Sequence, residues 1–364
     1  MRNKLIFVGY NLKSSNLDEN SLVSGEIKNA NYLMKALMKF NLDVVPVSID
    51  LYETCQDVIH SIKKSNAKGI FRWLSEGRKL NDLINNIATD ETIIYLTIPS
   101  YLPFLKLNKN VKVIVTAHGT YWPELIADLK YEKNIVKRIA HLINGKIQLE
   151  IDKFSFKRAD YLHSVSDYQV SEMVNTYNVP KEKIISIRNG TDFYNKNENR
   201  KYDFIWVGRL AKKKNLNLFL DFINIYPNAK VCICAGNDYF AIDGTSKSLL
   251  ESARGNPNVD VFSDVSDGML CNLMNSSKSL IVSSTGYESI PTVIFEGLAC
   301  GCVVLAPNSW GVGEVEGNGL ITYREGCLSS LNDMYKSIGE VTGTVESCVS
   351  WDYRAKEFKE AFNL

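Results

Sequence analysis

Two glutamates, Glu288 and Glu296, have seven residues between them in S-T-G-Y-E-S-I-P-T-V-I-F-E-G-L-A-C-G (Ser284–Gly301). Two acids at a fixed spacing first suggest acid/base chemistry, but their surroundings point elsewhere. Pro291 sits where a helix would begin, because a first-turn N–H has no intrahelical partner to lose. Gly301 sits where that helix would close without a steric penalty. Glu288 then lies in the loop before the helix and Glu296 inside it. The free N–H groups of the first turn favour a negatively charged ligand. A carboxylate within such a helix can accept from two ribose hydroxyls, and one in the preceding loop can accept from sugar hydroxyls. A second group of charges lies upstream. Gly208 and Arg209 follow the apolar run Phe204–Val207, and Lys214 comes five residues after Arg209. Arginine offers a planar fork of donors and lysine a mobile point charge, the pair suited to a diphosphate leaving group. Lys212 and Lys213 are less distinctive and read as solvated surface. His118 closes another apolar run, in V-T-A-H-G.

The elements that must position these groups alternate between short apolar runs and helix-length stretches. In the first half the strands read as Leu5–Gly9, Leu42–Val47, Gly69–Trp73, Thr92–Thr97, Val111–Thr116, Tyr161–Val165 and Ile184–Ile187. In the second half they read as Phe204–Val207, Val231–Ala235, Val259–Phe262, Leu280–Ser283, Val303–Ala306 and Leu320–Thr322. This rhythm predicts an α/β protein with doubly wound parallel sheets, whose ligands bind beyond the carboxyl ends of the strands. The polar stretch Tyr194–Lys201 reads as a linker. The division is therefore an N-terminal domain over residues 1–195 and a C-terminal one over 200–349. The last segment, 350–364, is an amphipathic helix with Trp351, Ala355, Phe358 and Phe362 at helical spacing.

The 364 residues carry a formal charge of +1, so the overall balance gives no support to a nucleic-acid partner. Of the eight cysteines, Cys232/Cys234 and Cys300/Cys302 alternate within apolar runs, as buried free thiols in a reducing, cytoplasmic compartment would. No apolar run reaches the ~18–20 residues of a membrane span, and the basic N-terminus leads into a strand rather than a signal peptide. Lys130–Arg158 reads as two cation-rich helices on which Ile135, Ile139, Leu142 and Ile143 form a buried face. Its basic side is either ordinary solvated surface or a peripheral contact with anionic membrane or a lipid-linked acceptor.

In this order, the motifs resemble those of retaining glycosyltransferases of the GT-B fold, glycosyltransferase family 4. The matching pieces are V-T-A-H-G (Val115–Gly119), S-V-S-D-Y (Ser164–Tyr168), I-R-N-G-T-D (Ile187–Asp192), V-G-R-L…K (Val207–Lys214), the E-x7-E of Glu288 and Glu296, and G-V-G-E-V (Gly311–Val315). The resemblance implies two Rossmann-like domains facing a cleft, with the terminal helix crossing back to the first. It implies that Gly208, Arg209 and Lys214 hold the donor's phosphates. Glu296 would hold the ribose and Glu288 the donor sugar. Ser289, Ile290 and Thr292 would contribute backbone N–H groups, and the base would lie near Val265. His118 would face the transferred sugar. Catalysis would thus rest on His118, Glu288, Arg209 and Lys214. V-S-G-E (Val23–Glu26) matches the family's glycine-rich loop only at Gly25, and Ser289 stands where the family often has glycine.

The implied reaction moves a sugar from a nucleotide diphosphate donor to a hydroxyl of a glycan or lipid-linked acceptor, in bacterial surface glycan synthesis. No side chain stands out as general base. No D-x-D occurs in the chain, so neither a metal nor another cofactor is expected. Two other readings compete. A nucleotide-sugar epimerase of similar fold would release sugar without an acceptor, and a non-catalytic partner subunit would bind nucleotide or glycan without turnover.

Overall fold

The computed structural model describes residues 4–13, 25–40, 42–50, 60–67, 70–107, 110–117, 121–129, 134–196, 199–236, 244–315, 317–339, 342–344 and 349–364. His118, Val23 and Ser24 of V-S-G-E, and Lys130 and Lys133 lie outside the described residues. The chain divides into two units, one formed by Gly25–Asn189 with the first strand and Trp351–Leu364, the other by Gly190–Ser350.

The first unit contains β1 (Lys4–Tyr10), α1 (Gly25–Met38), β2 (Asp43–Asp50), β3 (His60–Lys63), α2 (Ile70–Ile87), β4 (Thr92–Leu96), β5 (Lys112–Ala117), α3 (Tyr121–Leu129), α4 (Ile135–Arg158), β6 (Tyr161–Ser164), α5 (Asp167–Tyr177) and β7 (Ile184–Ser186). The second contains β8 (Tyr202–Arg209), α6 (Leu216–Ile223), β9 (Val231–Gly236), α7 (Gly244–Ala253), β10 (Val259–Ser263), α8 (Asp267–Asn275), β11 (Ser277–Ile281), α9 (Thr292–Ala299), β12 (Val303–Pro307), β13 (Leu320–Tyr323) and α10 (Leu328–Lys336). The terminal α11 (Trp351–Ala361) returns to the first unit.

Each unit holds one sheet, with strand orders β3-β2-β1-β4-β5-β6-β7 and β10-β9-β8-β11-β12-β13. All pairings among these strands are parallel. Parallel sheets are covered on both faces, and successive residues show it. Ile6 and Val8 enter one apolar cluster while Leu5 and Phe7 enter another. In the second sheet Ile205 enters one cluster and Phe204 and Trp206 the other. The strand order reverses at β1/β4 and again at β8/β11, and the carboxyl ends of such strands open the crevice where α/β sheets bind ligands.

The terminal helix completes the first core. Trp351 stacks on Tyr32 with ring centroids 5.8 Å apart, and Phe358 meets Tyr95 edge-on at 5.1 Å. Phe358 is fully buried, and truncating such a side chain costs about 3–5 kcal/mol. Beside it lies His163, buried in β6. Its Nε2–H donates to the Ile187 carbonyl at 2.9 Å, so Nδ1 is the acceptor from the Tyr95 hydroxyl at 2.8 Å.

Four readings from sequence change here. Gly69–Trp73 is not a strand, since Ile70–Trp73 form the first turn of α2. That short apolar run continues at helical spacing through the buried Leu80 and Ile84. The strand in its place is β3, an edge strand in which only Ile62 is buried, so it has no apolar run to reveal it. The described part of Lys130–Arg158 is one helix, α4, not two. Its Ile135, Ile139 and Ile143 are exposed rather than buried, because the helix turns Gly145, Asp152, Ser155 and Phe156 inward. Finally, the described residues of Tyr194–Lys201 are fastened to the second unit: the Lys196 N–H donates to Asn275 at 2.6 Å, and Arg200 donates to the Ser277 and Cys300 carbonyls.

Burial lowers the His163 pKa from 6.5 to about 4, with the Ile187 hydrogen bond opposing. The folded state therefore binds fewer protons than the unfolded chain between these values. The stabilisation is complete above the unfolded pKa and is lost as pH falls towards the folded one. We expect the stability gap between the native chain and His163→Gln to narrow by roughly 3 kcal/mol from neutral pH to about pH 4. Urea unfolding across that range measures it.

Candidate functional site

The carboxyl end of β8 is where the second unit gathers charge. Gly208 and Arg209 end the strand, and a tight turn follows at Lys212–Lys214. Asn215, in the left-handed region at φ 48°, then caps α6. Glycine at 208 leaves room for the Trp206 indole, since a Cβ there would lie 3.0 Å from it, tighter than ordinary packing. The neighbouring β11 sends the chain into the loop that carries Glu288. Two layers of hydrogen bonds lock this loop onto the lysine turn. Trp206 Nε1 donates to Ser283 Oγ at 2.9 Å, and Ser283 Oγ donates to the Lys214 carbonyl at 2.8 Å. One step further on, the Thr285 N–H donates to the Lys213 carbonyl at 2.7 Å. Gly286 turns at φ +89°, and its N–H donates to Glu325 at 2.9 Å.

These constraints bring Lys214 Nζ onto Glu288 Oε1 in an ion pair. Both side chains are largely enclosed, at 18% and 14% exposure. Desolvation pushes the Glu288 carboxyl up, but the positive charges of Lys214, Lys213 and Arg209 outweigh it and hold its pKa below the usual carboxylate range. Lys214 is shifted below the usual lysine value, first by burial and then by repulsion from Lys213 and Arg209, which Glu288 only partly offsets. Three cations thus act on the Glu288 carboxylate. Lys213, expected to be solvated surface, is half-buried and contributes its charge here.

Beyond Glu288 the chain enters α9. Pro291 is its N-cap, one position earlier than expected, and its own side chain makes no capping hydrogen bond. Gly301 closes the segment at φ +79°, as its position in sequence predicts. Ser289 and Ile290 are buried under the turn Trp310–Glu314. A Cβ on Gly311 would fall 2.1 Å from the Ser289 carbonyl oxygen, so only glycine allows the two backbones to lie this close. Glu296 is 5% exposed within α9.

The structure thus gathers Gly208, Arg209, Lys214, Glu288, Ser289, Ile290, Thr292 and Glu296 on two adjoining segments of one unit. Val265 follows β10 and its side chain belongs to the same apolar cluster as Ile290, so what it offers a ligand is backbone. Gly25 opens α1 in the other unit, exposed, with nothing near its Cα that a side chain would meet. Sequence reasoning missed Trp206, Ser283 and Glu325, which position the loop. A serine in a loop and a tryptophan in a strand carry no spacing signal. The glycine-rich G-V-G-E-V was noticed, but not its contact with Ser289.

Residues 190–332 match the family model "Glycosyl transferases group 1", and residues 93–193 match "Glycosyltransferase Family 4". No curated protein matches the chain. Among solved structures, sucrose-phosphate synthase from Thermosynechococcus elongatus is similar at TM-score 0.78 and 13% identity, over 100% of this chain and 98% of that one. Anabaena HepE in complex with UDP and glucose is similar at TM-score 0.69 and 14% identity, over 100% of both chains. WaaG, a glycosyltransferase involved in lipopolysaccharide biosynthesis, is similar at TM-score 0.63 and 12% identity, over 98% of this chain and 95% of that one. With two family models running from residue 93 to residue 332 and the fold shared along the whole chain, this protein is a glycosyltransferase of the GT-B, family 4-like type.

Proposed function

We propose that the protein transfers a sugar from a nucleoside diphosphate donor to an acceptor hydroxyl with retention of anomeric configuration. The observation that carries this reading is the cluster of cations at the carboxyl end of β8. Arg209, Lys213 and Lys214 act on Glu288, just before the N-terminus of α9. A leaving diphosphate gains negative charge as the glycosidic bond breaks, and fixed cations stabilise it without reorganising. In this reading Arg209 and Lys214 hold the phosphates, and the N–H groups of Ser289, Ile290 and Thr292 add backbone donors. Glu296 accepts from the ribose, and Gly25 and Val265 contact the donor through backbone. Phosphate arriving at Lys214 competes with Glu288 for its ammonium, which frees the carboxylate for the donor sugar's hydroxyls. His118 faces the transferred sugar. The acceptor's proton passes to a donor phosphate oxygen, since no side chain stands out from the sequence as a general base.

The cations supply the charge that a metal would otherwise bring, so we propose a reaction independent of metal or other cofactors. HepE's complex with UDP and glucose makes UDP the first nucleotide to try. A cytoplasmic role in bacterial surface glycan assembly, on a glycan or lipid-linked acceptor, parallels the process named for WaaG.

We expect one of UDP, GDP, dTDP and ADP to raise the thermal midpoint by several degrees; a flat response to all four would overturn the donor reading. With the matching donor and an acceptor, Lys214→Gln and Glu288→Gln should each lower transfer by about 10²–10³-fold while leaving the fold intact by circular dichroism. Full activity in either variant would remove that residue from the site. Transfer should survive EDTA, whereas loss on chelation and recovery with manganese would defeat metal independence.

A further inference from the structure

Among the described residues the second unit buries five cysteines that sugar transfer does not use: Cys232, Cys234, Cys271, Cys300 and Cys302. Two pairs of them touch. Cys271 Sγ lies 3.8 Å from Cys300 Sγ, and Cys232 Sγ lies 3.8 Å from Cys234 Sγ. The pairs differ in what joins them. Cys232 and Cys234 are two residues apart on β9, where an extended chain holds their Cα atoms about 6.6 Å apart, near the upper limit for a disulfide. Cys271 lies on α8 and Cys300 is the C-cap of α9, so two separate elements face each other across this contact.

Cys271 is also placed as the nucleophile of its pair. It is 7% exposed while Cys300 is fully buried, so a small oxidant meets Cys271 first. The Asn275 amide donates to Cys271 Sγ at 3.5 Å, and Asn275 accepts from the Lys196 N–H, which anchors that lysine nearby. The hydrogen bond from Cys300, helped by the Tyr194 backbone, the Lys196 charge and Asn275, draws the Cys271 thiol down to about 6 against burial. Cys300 is pushed up by the same bond and then by burial. A thiolate thus touches a thiol, as an attacking cysteine touches its resolving partner. Cys232 is instead pushed up, by its bond to Cys234 and by burial, which keeps it a thiol.

We propose that Cys271 and Cys300 are a peroxide-sensitive pair that closes into a reversible disulfide between α8 and α9. The Cys271 thiolate attacks one oxygen of hydrogen peroxide. The O–O bond breaks, a sulfenic acid forms, and solvent protonates the released hydroxide to water. The Cys300 sulfur then attacks the Cys271 sulfur, the S–O bond breaks, and the hydroxide leaves with the Cys300 proton as a second water. The two thiols lose two electrons in all, and the peroxide gains them. A dithiol reductant reverses the bond by exchange. Closing the sulfurs from 3.8 Å to the about 2.05 Å of a disulfide draws the two helices together. Helix α8 follows Val265 through its N-cap Ser266, and the Cys300 N–H donates to the Glu296 carbonyl at 3.1 Å, one turn back along α9. On the donor reading above, oxidation therefore disturbs the ribose contact and weakens nucleotide binding.

Peroxide treatment of the full chain, followed by peptide mass spectrometry without reduction, tests the proposal. We expect a linked pair of peptides joining Cys271 to Cys300, lighter by two hydrogens than the free peptides together and split by dithiothreitol. Cys271→Ala and Cys300→Ala should each abolish the link, and Cys302→Ala should leave it. The map of the native chain decides the pairing by itself if a buried variant fails to fold. The oxidised chain should lose its thermal response to the matching nucleotide and regain it on reduction. Thiols that stay free under peroxide, or a link from Cys271 to Cys302 instead, overturn the pair. A link that forms while the nucleotide response is unchanged overturns its coupling to the donor site. A reduced chain that answers to no nucleotide removes the donor reading and that coupling, while the linked peptides still decide the pair.

Discussion

The ion pair between Lys214 and Glu288 is the interaction on which the second unit's active end depends. A largely enclosed pair of charges is favourable only when its geometry is held and its surplus charge is answered. Here the holding is done by backbone. The lysine turn and the glutamate loop leave neighbouring strands, and Trp206, Ser283 and Thr285 tie one to the other. Arg209 and Lys213 add their positive charge around the same carboxylate. Cations gathered at a strand end, with a helix beginning just after Glu288, are suited to an anionic ligand.

Close backbone approach is the second device at this site. Glycine at 208 lets the strand end pass the Trp206 indole, and glycine at 311 lets the Trp310–Glu314 turn lie directly on Ser289. Ser289 and Ile290 are thereby pinned from behind, which fixes the direction of their backbone without using a side chain. Ser289 departs from the glycine often found at this place in the family. Its buried position shows that the loop accommodates a side chain once the opposing turn is narrow enough.

The first unit is built to a different end. Its core is closed by a helix from the far end of the chain, and it contains polar groups that are satisfied internally. Glu76 is fully buried yet accepts from Arg72 Nε, from the Ser65 N–H at 2.7 Å and from the Tyr101 hydroxyl. His163 is likewise neutral and doubly bonded. These groups stabilise one arrangement of the sheet rather than do chemistry. In the same unit α4 leaves Ile135, Ile139 and Ile143 to solvent, because the core takes its other face.

Much of the fold was legible in the sequence because parallel strands buried on both faces are near-continuous apolar runs, as in Leu5–Gly9 and Val303–Ala306. Where burial was one-sided or absent, as in β3 with Ile62 alone, the signal vanished. The charged groups were legible where they sit in short stretches: Gly208–Lys214 and Glu288–Glu296 are local, and residue type with spacing was enough to put them at a strand end and a helix start. What the sequence by itself determined is therefore the alternation of elements and the charged groups at strand ends. Only the tertiary structure decided that Lys214 pairs with Glu288, that Ser283 and Gly311 set the loop, and that α4 turns its isoleucines to solvent. Those facts depend on contacts between residues far apart in the chain, and on which face of a helix the rest of the fold covers. Periodicity states that a face exists, and packing alone chooses its partner.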